Sequence, residues 1–142
     1  MMQQFHRIKS DHADAIVFFR LGDFYEMFFE DAEVASSFLD ITLTARNRGK
    51  PSEAPMCGVP ARAADSYIAR LLGAGFKVAI AEQVGKPGEK GAMDREVVRV
   101  MTPGTLVEDN LLSSCKDNYL VSVFEESDSV GTAALELSTG EF

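Results

Sequence analysis

Apolar positions divide the first hundred residues into short blocks of differing period. Residues 2–13 set Phe5, Ile8 and His12 at loosely helical spacing, and Ala15–Leu21 is a dense apolar run of the length of a buried strand. Gly22 breaks it. From Asp23 to Leu39 the composition is helical, with aromatics and methionine first and small residues later; Ile41-Thr42-Leu43-Thr44 then alternates as a strand does. Ala54–Val59 reads as a short apolar strand closed by Pro60. Ala64, Tyr67, Ile68, Leu71 and Leu72 form one helical stripe, with Gly73 or Gly75 as its stop. Strands are predicted over Phe76–Val84 and Glu96–Met101, joined by a loop, Gly85–Gly91, rich in glycine and lysine. Val107–Ser114 suits one or two helical turns, and Tyr119–Phe124 and Thr132–Leu137 read as a strand pair opening another domain. This order predicts an α/β fold, a mixed sheet flanked by helices, followed by the first strands of a second α/β domain.

Composition adds limits. The 142 residues, 46% of them apolar, suffice for one ordinary core and the start of a second. No apolar run is long enough for a membrane-spanning helix, and the N-terminus lacks the basic-then-apolar order of a signal peptide, so the expected compartment is the cytoplasm with no membrane partner. Cys57 and Cys115 match no metal or redox spacing and are expected to be reduced thiols. The net charge of −8 is not the footprint of a strong DNA binder. It is unevenly spread: residues 117–142 hold six acids and no base, which leaves 14 basic residues against 16 acids in residues 1–116. A near-neutral segment of this kind gains little from counterion release and would need help to hold DNA. The last residues, Ser138–Phe142, directly follow a strand in acidic surroundings, as expected of a fragment of a longer protein.

Candidate chemistry concentrates in Gly22–Phe29, where Phe24, Tyr25, Met27, Phe28 and Phe29 crowd around Asp23 and Glu26. On a helix, steps of about 100° would spread these five large groups around the whole circumference, leaving at least one outside any core. Phe24, first after the break, is the best candidate for an exposed aromatic. Two readings stay open. If the chain is extended, Phe24 and Glu26 lie on one side and can act together; if it is helical, Asp23 and Glu26 make a capping box that needs no ligand. An exposed aromatic is useful where a nucleic-acid base can stack on it. It would serve equally in a protein-interaction module, with Phe24 and Phe28 or Phe29 meeting a partner domain. A third reading has Asp23, Glu26, Glu30 and Asp31 holding Mg²⁺ for a nuclease. Arg46, Arg48 and Lys50, in the basic loop Arg46–Ser52, are either phosphate contacts or solvated surface. Met56–Pro60 either supports the site or is a buried strand. Gly85–Gly91 lacks phosphate-loop spacing, and His6 and His12 have no third zinc ligand.

The stretch Phe18-Phe19-Arg20-Leu21-Gly22-Asp23-Phe24-Tyr25-Glu26-Met27-Phe28 resembles the signature near the start of bacterial MutS proteins. Asp40–Thr44, Pro55–Pro60, Ala79–Val84 and Val98–Thr105 occur in that family's order and spacing, so the resemblance covers essentially the whole chain. It implies a mismatch-recognition domain over 1–104, a linker over 105–116 and the beginning of a connector domain over 117–142. It also implies a non-enzymatic DNA-binding piece without cofactor, since ATP and Mg²⁺ would belong to an ATPase domain not present here. The expected partners are mismatched duplex DNA, the remaining MutS domains and a MutL-type protein. The site residues implied are Phe24, wedged into the minor groove and stacked on a mispaired base, and Glu26, hydrogen-bonded to that base. Leu21 would line the groove beside Phe24, where relatives carry a larger Met.

Overall fold

A computed structural model of the chain describes residues 1–84, 94–103 and 119–136. The expected loop Gly85–Gly91, the linker 105–116, the turns Val107–Ser114, Cys115 and the terminal Ser138–Phe142 lie outside the described residues. The chain divides into two units, Met1–Pro103 and Gly104–Phe142.

In the first unit, helix α1 (Met2–Asp11) leads into strand β1 (Ala15–Leu21), and the turn Gly22–Asp23 reverses the chain into β2 (Phe24–Phe28). Helix α2 (Phe29–Leu39), strands β3 (Thr44–Arg46) and β4 (Ala54–Pro60), a 3-10 turn at Ala61–Ala63, helix α3 (Ala64–Gly73) and strands β5 (Lys77–Val84) and β6 (Asp94–Met101) follow. The strands form one mixed sheet in the order β3-β4-β2-β1-β5-β6. Only β1 and β5 run parallel; every other pair is antiparallel. The mixed α/β architecture agrees with the sequence reading.

Two local expectations fail. The helix expected from Asp23 begins only at Phe29, because Phe24–Phe28 pair as strand β2 between β1 and β4. Tyr25 and Met27 are buried on one face and Phe28 on the other, so the apolar run shows neither a helical nor a strand period. Asp23 consequently caps no helix, and the capping box does not form. The alternating Ile41–Thr44 is not a strand either. Asp40 takes a left-handed conformation, φ 56°, and the Ile41 amide donates back to the Ser36 carbonyl, so pairing starts only at Thr44.

The two faces of the sheet are covered unequally. On one, α2 lies over β2 and β4 while α3 lies over β5 and β4, burying Phe18, Met27, Cys57, Val59, Leu71 and Leu72. Cys57 is a free thiol there, its pKa pushed up to about 11 by burial. Among the described residues the other face receives only α1, which packs on β1 and β6. Phe5 and Ile8 of α1 insert among Ala15, Val17, Phe19, Phe28, Ala79 and Ala81. A helix about 10 Å wide covers two or three strands spaced about 4.8 Å apart, so one helix leaves part of a six-stranded face bare. Among the described residues, the part left without cover is the outer end of β2 with β4 and β3.

A buried carboxylate ties α1, α2 and β1 together. Val17 lies in the part of β1 that has β5 on one side and no β2 partner on the other. Its amide donates instead to Asp31 Oδ2 (3.0 Å), and Lys9 Nζ donates to Oδ1 (2.7 Å) and to the Ala15 carbonyl. Burial raises the Asp31 pKa, and the bonds from Lys9 and Val17 oppose it.

In the second unit, β7 (Tyr119–Glu126) and β8 (Ser129–Glu136) form an antiparallel hairpin, with Ser127 at φ 51° in its turn.

Candidate nucleic-acid interface

The bare part of the α1 face holds the residues singled out by sequence. Side chains two apart on a strand share a face, and β2 is extended, so Phe24, Glu26 and Phe28 point the same way. Cross-strand register then adds Leu21 opposite Phe24, Phe19 opposite Glu26, and Pro60, Gly58 and Met56 of β4 on the far side. Phe28 is fully buried against Phe5, with ring centroids 5.2 Å apart, whereas Phe24 is 48% exposed. Leu21 is half-buried against the core beside it.

The turn beneath Phe24 is fixed from outside its own hairpin. Gly22 sits at φ 58°, a left-handed conformation that glycine adopts without steric cost. The Asp23 carbonyl accepts the Ala61 amide at 2.8 Å, which fastens the turn to the end of β4. Between them lies a cleft of about 380 Å³ lined by Arg20, Asp23, Phe24, Pro60, Ala61 and Arg62. Two arginines against one aspartate give the cleft a positive balance that the acidic chain as a whole lacks.

Glu26 reaches sideways. Its Oε2 accepts from Arg46 Nη1 at 3.2 Å, although β4 lies between β2 and β3 in the sheet. The pair must therefore bridge two inter-strand spacings, about 10 Å, across the surface of β4. Gly58, directly opposite Glu26, makes this possible. A Cβ there would lie 3.2 Å from the Tyr25 carbonyl oxygen and 3.4 Å from Glu26 Cγ, tighter than ordinary contact. The Glu26 side chain is 19% exposed. Burial raises its pKa, and the charge of Arg46 opposes that shift.

The three basic candidates part company. Arg46 is half-buried, paired with Glu26 and placed 5.9 Å over the Phe28 ring, while Arg48 and Lys50 are exposed on the turn after β3. That turn is held by Asn47 at φ 55°, by the Lys50 amide on the Asn47 carbonyl and by the Gly49 amide on Glu53 Oε2. The burial expected over Met56–Pro60 is partial. Cys57 and Val59 are buried, but Gly58 is exposed and Met56 and Pro60 are half-buried, because β4 alternates between the helix-covered and the bare face.

Two alternatives lose their geometry. Phe28 is interior and Phe29 packs on Phe5 and His6, so of the three phenylalanines proposed for a partner surface only Phe24 is offered outward. The four acids imagined around Mg²⁺ are separated: Glu26 pairs with Arg46 on one face, and Asp31 is buried with Lys9. Among the described residues no three acids, histidines or cysteines gather at a metal-binding spacing.

Sequence reasoning missed three arginines. Arg20 and Arg62 line the cleft, and Arg95 of β6 is buried over the Phe19 ring (4.9 Å) with its Nε donating to the Arg20 carbonyl. Burial and the charge of Arg46 lower the Arg95 pKa. No spacing in the chain announces these residues: Arg95 reaches Arg20 from 75 positions away, and Arg62 meets it only across the cleft.

Comparison with known proteins identifies the family. Residues 1–110 match the family described as MutS domain I. Over its full length the chain is 57% identical to the DNA mismatch repair protein MutS of Syntrophomonas wolfei, of which it covers 17%. It is 57% identical over 99% of its length to that of Alkaliphilus oremlandii and 53% identical over its full length to that of Acetivibrio thermocellus, covering 16% of each. The chain thus spans about a sixth of the length of these relatives. A family match across residues 1–110, together with such identity along the whole chain, shows that it belongs to the MutS domain I family.

Proposed function

We propose that this chain is the lesion-reading part of a longer DNA mismatch repair protein, with Phe24 as a wedge in the minor groove and Glu26 as its hydrogen-bonding partner. The observation that carries the reading is the exposure of Phe24 on a strand whose next aromatic on the same face is wholly buried. An apolar wedge costs a few kcal/mol of unstacking, and a mispaired step is cheaper to kink because its pairing is already weak. Stacking of the Phe24 ring on the displaced base returns about 1–3 kcal/mol. Discrimination is then mostly a difference in DNA deformation energy.

Glu26 would test whether the wedged base is free to bond, as acceptor from a base N–H or, when protonated, as donor to a purine nitrogen. Its raised pKa favours the second form, and Arg46 resists it. Should Arg46 turn to a phosphate as DNA arrives, Glu26 would lose the cation that keeps it ionised. Arg48, Lys50 and Arg62 serve as position-setting charges and carry no sequence information. Leu21 backs the wedge. Holding the duplex, ATP hydrolysis with Mg²⁺ and communication with a MutL-type partner fall to other domains of the longer protein. Residues 117–142 would start its connector domain after a linker over 105–116.

The test is binding of the full-length protein to matched and G·T duplexes at fixed salt, for wild type and Phe24→Ala. The wild type should prefer the mismatch and the variant should lose that preference. Full preference in the variant would overturn the reading.

A further inference from the structure

The α2 side of the sheet carries a charged cluster directly behind Phe24 that the wedge itself does not use. Arg20, next to last in β1, stands opposite Tyr25 in the β1–β2 register. Its guanidinium carbon lies 5.2 Å from the centroid of the Tyr25 ring, its Nε donates to the Gly22 carbonyl at 2.5 Å, and its Nη1 is 4.0 Å from Glu82 Oε1. The Tyr25 hydroxyl donates to that same carboxylate oxygen on β5. Tyr25 also packs on the interior Phe18 ring.

The consequence concerns the two peptides that precede Phe24. The Gly22 carbonyl is held by Arg20 and the Asp23 carbonyl by the Ala61 amide, so both turn carbonyls are anchored outside the hairpin ladder. A two-residue turn ending in a free aromatic would otherwise rock under load, and a wedge that rocks spends its stacking energy on its own ordering. Arg20 suits the task because its planar fork can bond a carbonyl, face a carboxylate and lie on a ring at once. A lysine ammonium, a point charge, can do only one of these well.

We infer that Arg20, braced by Tyr25 and Glu82, is a positioning residue that presets the Gly22–Asp23 turn and thereby the mismatch selectivity of Phe24. This rests on the wedge reading above.

The experiment measures affinity of the full-length protein for G·T and matched duplexes, together with thermal stability. It compares wild type, Arg20→Lys, Tyr25→Phe, Phe24→Ala and the Arg20→Lys/Phe24→Ala double variant. Arg20→Lys should lower the mismatch-to-match ratio by roughly 10-fold, the loss of one charge-assisted hydrogen bond, while matched-duplex affinity stays within about twofold. Tyr25→Phe, which keeps the ring and loses only the bond to Glu82, should lower the ratio less. In the Phe24→Ala background Arg20→Lys should cost nothing further, because its effect passes through the wedge. An equal loss in that background would mean that Arg20 acts on DNA directly and would overturn the inference. So would an unchanged ratio in Arg20→Lys, or in Tyr25→Phe should the lysine variant not fold. If Phe24→Ala alone keeps full preference, the wedge reading fails as well; if it loses preference while Arg20→Lys keeps it, only the positioning role fails.

Discussion

Phe24 and Phe28 are the same residue type on the same strand and the same face, four positions apart, yet one is 48% exposed and the other is wholly buried. What separates them is cover. Phe28 lies under Phe5 of α1, and Phe24 lies past the reach of that helix, beside a positively lined cleft. Burial stabilises the fold at Phe28, whereas at Phe24 the same ring is kept available. A single short helix on a wide sheet thus divides one strand into a core half and a presenting half.

The largest way to sharpen this contrast is Phe28→Ala. Removing a fully enclosed phenylalanine should cost about 3–5 kcal/mol of folding stability. Urea or thermal unfolding of the 142-residue chain checks it; a cost below about 1 kcal/mol would mean that the α1 core is not packed as described.

Gly58→Ala comes next. The added methyl meets the Tyr25 carbonyl, which belongs to the backbone and cannot swing away, so about 1–3 kcal/mol of overpacking is expected. The same methyl should push Glu26 off Arg46. Unfolding measurements check the first effect, and loss of mismatch preference in the full-length protein checks the second.

Glu26→Gln should change stability little at neutral pH, by under about 1 kcal/mol, because the desolvation relieved offsets the lost pairing with the half-exposed Arg46. Its sharper signature is pH dependence. The folded-state pKa of Glu26 is raised above its ordinary value of 4.5, so protonation favours the folded form. That benefit is complete below 4.5 and is lost as pH rises through the raised value. Wild type should therefore gain stability relative to Glu26→Gln as pH falls through that window. A difference that is flat with pH would contradict the burial of Glu26.

The smallest expected effect is that of Phe24→Ala on folding, about 1 kcal/mol or less, since nearly half of the ring already faces water. Comparable costs at Phe24 and Phe28 would erase the contrast between the two halves of β2.

How much of this was legible in the chain follows the same physics. Ala15–Leu21 and the Ala64–Leu72 stripe announced β1 and α3, because an unbroken apolar run and a regular helical period each leave a pattern. Strand β2 left none, because only its Phe28 end is buried on both faces while Phe24 is exposed, and its merging with α2 at Phe28–Phe29 made the whole stretch read as helical. Phe24 was legible as a surplus aromatic, and the extended alternative placed Glu26 beside it. The Glu26–Arg46 bridge was not, for it depends on two successive strand registers and on an absent side chain at Gly58. Arg20 was hidden inside a run that read as core.

The most direct test of the central claim is photocrosslinking of the full-length protein to a duplex carrying 5-iodouracil in place of thymine at a G·T mismatch. Side chains in close contact with the iodinated base are captured, aromatic rings stacked on it among them. The expected result is a crosslink that maps to Phe24, is lost in Phe24→Ala and is weak on a fully paired duplex. An equally strong crosslink in Phe24→Ala, or one mapping elsewhere on the protein, would contradict it.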